Sequence, residues 1–242
     1  MSWLANNEAW LARARERWTP RAPEAFTVRV WLSSPVAWGE RGIQIDGLLQ
    51  RLVVQRETGL PSDDVFAECP RGLDVEIQIP IADVTIAGLP IACASWGAPA
   101  PIAAESLRWR RKRARLDAMS GNRLTIAGGP FKSTNIPVQT LVTPWLDFHL
   151  VADRAMVRDL LGDASAIGRG YSSGLGAILG MEYLPDPEER ALVHQERPMR
   201  SIPLGPDAPP MQDPLRMVAS TRAPYWTGRG RVLCAVPSTR LS

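Results

Sequence analysis

The sequence predicts an α+β domain in which two β-α-β units flank a long insertion. Three observations predict this class. Alternating apolar residues mark strands on both sides of the insertion, and a helical period follows the first strand of each unit. The composition, with 45% hydrophobic and 22% charged residues, is that of a folded protein and excludes extensive disorder. At 242 residues the chain is long enough for one enlarged domain with its own core.

An N-terminal helical appendage is predicted over residues 1–22. Trp3, Trp10 and Trp18 recur every seven or eight residues, which places them on one face of a helix. Such an apolar stripe is too large to leave in water. We therefore expect Trp3 and Trp10 to contact either this domain or a partner subunit.

The first β-α-β unit begins after this helix. Apolar residues alternate over 26–33, which predicts a strand. A helix is predicted to start at Asp46 and to end before Gly59, because a 3.6-residue apolar period lies between them. Residues 73–79 alternate again and predict the second strand of the unit.

An insertion at about 84–144 interrupts the main domain, which is predicted over 23–184. Residues 86–94 predict one strand with a bend, and residues 105–118 have the composition of a helix. Residues 123–142 are strand-like but rich in Gly, Pro and Thr, which indicates an extended, thumb-like hairpin with a mobile tip.

The second β-α-β unit follows the insertion. A strand is predicted from Trp145, and Asp153 is expected to cap a helix that ends at Gly162. A last strand is predicted near 178–184, which completes the split βαβ, or ferredoxin-like, order. Ten of the 22 prolines lie in residues 185–242, which predict an irregular tail that wraps the domain.

A glycine-rich stretch before the last strand is the first candidate site. A nucleophile elbow or a dinucleotide loop needs a strand before it, and here a helix precedes. Glycines let a backbone approach a polyanion, so the stretch fits a phosphate-binding loop, although a plain connection explains it equally well. The candidate RNA-binding residues are Arg169, Gly170, Tyr171, Ser172, Ser173, Gly174 and Gly176.

A basic run in the insertion is the second candidate site. Six cations occupy eight residues around Trp109, with only Glu105 and Asp117 near them, and this pattern favours a polyanion over a solvated face. Helical spacing predicts one face for an RNA backbone and another for a partner or target strand. The first face contains Arg108, Arg111 and Arg115, and the second contains Arg110 and Arg113.

The predicted hairpin tip is the third candidate. Lys132 and Asn135 are placed to reach phosphate or sugar, and Phe131 to wedge between bases or pack on a partner. A plain surface loop is the competing interpretation. Arginine dominates the basic residues throughout, since 26 of 28 are arginines. A GC-rich genome is the preferred explanation of this bias, and phosphate binding is the alternative.

The sequence offers no catalytic, metal or cofactor site. His149 alternates with apolar neighbours and is predicted to be structural, while His194 has no evident partner. Glu188 and Glu189 read as a solvated helix start. Three widely spaced cysteines form no disulfide or zinc pattern, and with no targeting or membrane-spanning segment they predict a cytoplasmic protein.

Three stretches together resemble a known family. They are residues 45–49, the glycine-rich segment 167–178, and residues 223–226 with 234–237. Their order and spacing, over about 26–237, resemble the RAMP superfamily of CRISPR-associated RNA-binding proteins. The closer similarity is to the subunits that cap the 5′ handle of guide RNA in type IV CRISPR–Cas complexes.

The resemblance implies a non-catalytic role in defence against foreign DNA. Such a subunit binds the 5′ handle of crRNA and contacts the backbone RAMP subunits through its thumb-like hairpin. It also contacts the large subunit of the effector and, near the flanking motif, target DNA. The alternative within the superfamily is an endoribonuclease that cuts the CRISPR repeat with histidine or with positioned arginines.

Overall fold

A computed structural model describes residues 3–39, 42–60, 77–112, 134–169, 173–223 and 231–238. The protein is of the α+β class, as predicted. Its described helices are α1 (Trp3–Trp18), α2 (Ile45–Thr58) and α3 (Arg154–Leu161). Its described strands, in chain order, are β1 (Pro23–Leu32), β2 (Val36–Ala37), β3 (Asp83–Ile86), β4 (Leu89–Ala92), β5 (Ala98–Pro99), β6 (Ala104–Lys112), β7 (Thr134–Val142), β8 (Trp145–Asp153), β9 (Ile178–Pro185), β10 (Val193–His194), β11 (Arg197–Pro198), β12 (Ile202–Pro203), β13 (Leu215–Ser220) and β14 (Arg231–Val236).

The central sheet has the antiparallel order β5-β8-β1-β9, and β1 is paired along most of its length on both sides. Phe26, Val28 and Val30 of β1 are fully buried on one face, which packs in the same core as α2 and α3. The intervening residues of β1 lie on the opposite face because side chains alternate along a strand. The sheet therefore has a helix-covered face and a second face.

The predicted strand over 73–79 is not found in the described part of the chain, where residues 77–79 have no strand structure. The outer edge of β8 is instead paired with the two-residue strand β5 near its start and with loop backbone farther along. Val151 accepts a hydrogen bond from the Ala82 amide and donates one to the Cys93 carbonyl, both at 2.9 Å. Residues 73–76 lie outside the described residues.

The N-terminal helix belongs to the core rather than to an appendage. Trp18 is only 1% exposed, and its Nε1 donates a hydrogen bond to Glu57 Oε1 at 3.0 Å, which fixes α1 on α2. Trp10 is 6% exposed within the same core. Of the two expected contacts for Trp10, the structure shows the one with its own domain. The side chain of Trp3 lies outside the described residues.

Three of the four helix ends of the β-α-β units lie where the sequence predicts them, whereas α2 begins at Ile45, one residue before Asp46, and has no side-chain cap. Gly59 ends α2 in the left-handed region at φ 70°, which glycine adopts without strain. The Asp153 carboxylate accepts a hydrogen bond from the Met156 amide at 3.2 Å and caps α3, which Gly162 ends. These local signals were sufficient because capping depends on neighbouring residues.

The insertion differs from its prediction in two places. Residues 104–112 form strand β6 and not a helix, since each residue pairs with β7, from Ala104 opposite Val142 to Lys112 opposite Thr134. This long-range pairing overrides local helix composition. The predicted bent strand 86–94 is a hairpin of β3 and β4, with its turn at Ala87 and Gly88. Residues 113–133 lie outside the described residues.

The C-terminal segment is more regular than predicted. It contains the pair β10-β11 and a three-stranded sheet of order β12-β14-β13. The high proline content of the segment had predicted irregular structure instead. Arg200 fixes the segment to the domain: it is fully buried, donates to the Ala94 carbonyl at 2.9 Å and lies 3.5 Å from Asp46 Oδ2. The C-terminal segment therefore contacts the domain core at Arg200.

Candidate nucleic-acid interface

The glycine-rich stretch folds back on itself between α3 and β9, against the end of β1. Ile167 donates a hydrogen bond to the Gly176 carbonyl at 2.8 Å, and Gly176 donates one to the Pro35 carbonyl at 2.8 Å. Ser33 donates to the Ala177 carbonyl at 2.9 Å. These bonds fix the base of the loop.

The described glycines of this loop have different roles. At Gly176, where φ is 67°, an added Cβ would lie 1.9 Å from the Ile167 carbonyl oxygen, so the chain's own packing requires glycine. At Gly174, where φ is 76°, an added Cβ would meet no atom within 4 Å. Gly176 thus shapes the loop base, whereas Gly174 leaves open surface for a ligand.

Arg169, the cation of the loop whose position is described, is exposed. Arg169 and Ser173 both lie at the surface, on either side of the tip. Gly170, Tyr171 and Ser172 lie outside the described residues, so their predicted contacts remain predictions. An exposed guanidinium suits a phosphate oxygen, because the guanidinium donates in a planar fork.

The described part of the basic run, positions 108–112, lies on strand β6, which pairs with β7 in a sheet of order β2-β7-β6. We call the β6-β7 pair the ribbon, and its strand structure changes the predicted faces of the run. Positions alternate along a strand, so positions 108 and 110 share one face and position 111 lies on the other. The helical grouping of Arg108 with Arg111 is therefore wrong. Arg108 is exposed, and Trp109 is 67% exposed. The predicted contacts at Arg113, Arg115, Phe131 and Lys132 lie outside the described residues, and Asn135 is described only as a strand position of β7.

The segment between Ser33 and Trp38 joins the ribbon to the glycine-rich loop. Val36 and Ala37 form β2, which pairs with Leu141 and Thr140 of β7. Trp38 donates a hydrogen bond to the Gln139 carbonyl at 2.9 Å. The same segment accepts the Gly176 amide at Pro35. The two basic elements that the sequence singled out therefore start from neighbouring parts of the fold.

His149 is a buried structural residue, as predicted. It is 5% exposed, its Nδ1 lies 2.9 Å from Thr27 Oγ1 and 3.4 Å from Asp186 Oδ2, and Asp186 in turn accepts from Arg190 Nε at 2.6 Å. Burial lowers the pKa of His149, and the nearby Arg190 charge lowers it further. A neutral, enclosed imidazole has no access to an RNA backbone.

Two smaller predictions about titratable residues need correction. His194 does have a partner, because its Nδ1 lies 3.4 Å from Glu188 Oε2. Glu188 and Glu189 are exposed as predicted, but they lie in a turn and no helix starts there. Turn geometry after Pro187 places Glu188 beside His194, a contact that spacing alone does not reveal.

The described residues contain no group of three His, Cys, Asp or Glu side chains placed to hold a metal ion. Cys93 and Cys234 are buried free thiols, and burial raises the pKa of each to about 11. Thiols with this pKa are protonated and unreactive at neutral pH. Among the helices of the described ranges, none is both long and apolar enough to span a membrane.

A group of residues on the second face of the central sheet escaped sequence analysis. Trp31 of β1 and Trp145 of β8 are cross-strand partners with ring centroids 5.0 Å apart at 60°. Beside them Arg29 forms two 2.8 Å hydrogen bonds with Asp147, which raise the pKa of the guanidinium, and its Cζ lies 4.7 Å from the Trp145 ring. Alternation in both strands was the available signal, because these residues occupy the positions between the apolar ones.

Comparison with known proteins gives no assignment. No protein-family model matches the chain, and no curated protein matches it in sequence.

Proposed function

We propose that this chain is a non-catalytic guide-RNA-binding subunit of the RAMP superfamily. It caps the 5′ handle of crRNA in a type IV CRISPR–Cas effector complex that acts against foreign DNA in the cytoplasm. Its partners are the crRNA handle, the backbone RAMP subunits, the large subunit of the effector and target DNA near the flanking motif. It needs no cofactor.

The strand order of the central sheet supports a ferredoxin-like domain. In this proposal β1, α2, β8, α3 and β9 correspond to five of the six elements of that fold, with the edge beside β8 in the place of the remaining strand. The first and last of these strands are neighbours in the sheet, and all described pairings are antiparallel. A fold hosts many functions, so this support concerns the class of protein only.

The position of the glycine-rich loop is the observation that carries the RNA-binding proposal. The loop connects α3 to β9, exposes Arg169 and the open glycine Gly174, and shares the 33–38 segment with the base of the ribbon. A single-stranded RNA backbone lying along the loop meets main-chain amides and a guanidinium, and it reaches Arg108 if it continues onto the ribbon.

The ribbon is the proposed contact to neighbouring subunits. Single apolar side chains scattered on a surface need no partner, whereas a contiguous group of them marks an interaction site. Leu107 and Trp109 fall on one face, together with cross-strand Pro137, so they are grouped and not scattered. In the proposed complex a backbone subunit covers this face.

The proposal is tested by RNA titration at several salt concentrations. The purified chain is titrated with a labelled 5′-handle RNA and with a scrambled RNA of the same length. We expect the chain to bind the handle RNA more tightly than the scrambled RNA. Arg169→Ala should flatten the slope of log affinity against log salt concentration by about 0.7. Arg216→Ala, an exposed arginine on β13, is the matched control and should leave the slope unchanged.

Three results contradict the proposal. Equal affinity for both RNAs would show that the chain does not recognise the handle. An unchanged salt slope in Arg169→Ala would show that Arg169 of the loop does not contact a phosphate. Specific cleavage of labelled repeat RNA by the purified chain would favour the endoribonuclease instead. The buried His149 is not expected to support such cleavage, because catalysis by a general acid or base requires reach to the proton.

A further inference from the structure

The second face of the central sheet presents an aromatic surface beside the glycine-rich loop. Trp31, Trp145, Leu179 and Gly180 form this surface, which we call the tryptophan platform. Both tryptophans are half-buried, and their rings meet at a tilt instead of covering each other. Trp31 also lies opposite Gly180 on β9, so one side of its position has no neighbouring side chain.

Open space lies over the platform at Gly180. A Cβ added there would meet no atom within 4 Å. The pairing of β1 with β9 shifts by one residue at this point: Trp31 pairs with Gly180 and Leu32 with Ile178, which leaves Leu179 as the extra residue of a β-bulge. Leu179 is 74% exposed. Bulges commonly redirect a side chain next to a functional surface.

The charges beside the platform favour an uncharged ligand group. Arg29 is neutralised by its two hydrogen bonds with Asp147, and Glu182 of β9 lies opposite Arg29 as a further carboxylate. Two carboxylates against one guanidinium do not attract a phosphate. A flat, neutral group that stacks on an indole ring fits this surface, and a nucleobase has that character.

The loop groups proposed to donate hydrogen bonds to phosphate lie close to the platform, because the two chain segments that form the platform continue into the base of the loop. Gly176 and Gly180 are four residues apart, which is at most about 13 Å of extended backbone. Ser33, two residues after Trp31, is bonded to Ala177 of the loop. A single strand whose phosphates follow the loop can therefore place a neighbouring base on the platform.

We propose that the tryptophan platform stacks one unpaired base of a single-stranded RNA whose phosphates lie along the glycine-rich loop. This inference rests on the proposed function, because the loop supplies the phosphate contacts. It adds a base-binding site formed by the sheet, which is separate from the loop and from the ribbon. A stacked base contributes about fivefold to a hundredfold in affinity.

Gly180→Val is the most informative variant. Valine suits a strand, and a Cβ at Gly180 meets no atom within 4 Å, so we expect the variant to fold with its methyl groups in the place of the base. Trp31→Leu removes the ring itself. Thr85→Val, at an exposed position of β3, is the matched control for adding apolar surface to a strand.

The assay combines these variants with handle RNAs in which one base at a time is removed and every phosphate is kept. We expect Gly180→Val and Trp31→Leu to lower affinity at least fivefold with an unchanged salt slope, because stacking involves no ion release. One abasic position should lower affinity of the parent by a similar factor. The same abasic RNA should cause no further loss in Gly180→Val.

The outcomes separate this inference from the proposed function. If Gly180→Val binds like the parent while Arg169→Ala flattens the salt slope, the platform is refuted and the RNA-binding loop stands. If the parent binds no RNA, the proposed function fails first. If Gly180→Val binds RNA like the parent but no longer assembles with the effector subunits, the platform is a protein contact and the inference is overturned.

Discussion

The close approach of backbone at Gly176 leads to a sharp prediction about stability. In Gly176→Ala the new Cβ would start 1.9 Å from the Ile167 carbonyl oxygen, and the residue would keep a φ of 67°. No side-chain rotation relieves a contact between Cβ and backbone. The loop base must therefore shift, which disturbs the hydrogen bonds from Ile167 to Gly176 and from Gly176 to Pro35.

The expected loss is large for a single methyl group. The left-handed conformation costs about 1–2 kcal/mol for a residue with a Cβ. Each of the two backbone hydrogen bonds contributes about 1 kcal/mol net. The variant should therefore lose about 3–4 kcal/mol of unfolding free energy, which lowers the melting temperature of a domain of this size by roughly 6–16 °C.

Gly174→Ala is the matched comparison, because φ is 76° there but the added Cβ has open space. It should lose only the conformational part, about 1–2 kcal/mol. Thermal melting followed by circular dichroism, with urea denaturation alongside, measures both variants. Equal melting temperatures for the two would refute the argument that the loop base, and not positive φ alone, requires glycine at position 176.

Four further predictions concern the core and its buried charges. Trp18→Ala should lower the unfolding free energy by about 3–5 kcal/mol, since this ring is 1% exposed; a change below 1 kcal/mol would return α1 to the status of an appendage. Burial lowers the pKa of His149 below its unfolded value of about 6.5, so the unfolded chain takes up the proton first and the unfolding free energy should fall as pH decreases through 6.5. The dependence of unfolding free energy on pH should be weaker in His149→Asn, and an equal dependence in both proteins contradicts the prediction. Asp153→Ala should lose about 1 kcal/mol with the α3 cap, measurable by urea denaturation. Arg200→Met leaves the Asp46 carboxylate buried without this partner and should cost about 3–5 kcal/mol by the same measurement, whereas a neutral result would mean that Arg200 does not hold the C-terminal segment.

The fold was predictable where the signal is local. The Asp153 cap and the ends at Gly59 and Gly162 depend on residues within one turn, and the structure has them where the sequence placed them. The strands that contain Phe26 and Trp145 were predicted from alternation, which reports burial of one face directly. These features need no knowledge of distant partners.

Features that depend on distant pairing were not predictable in this way. The run around Arg108 has helix-forming composition, and only its partner β7 makes it a strand. The tryptophan platform is similar, because Trp31 and Trp145 are 114 residues apart and meet through the register of β1 with β8. The requirement for glycine at Gly176 comes from Ile167, whose carbonyl lies against it in the folded loop.

Sequencing of bound RNA tests the central claim most directly. The tagged chain is expressed together with the proteins encoded beside it, the assembly is purified, and the RNA that it retains is extracted and sequenced. The proposed function predicts short RNAs that share one repeat-derived 5′ fragment, and Arg169→Ala should retain less of them than Arg216→Ala. Retention of no RNA, or of RNAs without a common 5′ end, would contradict the claim that this chain caps a guide-RNA handle.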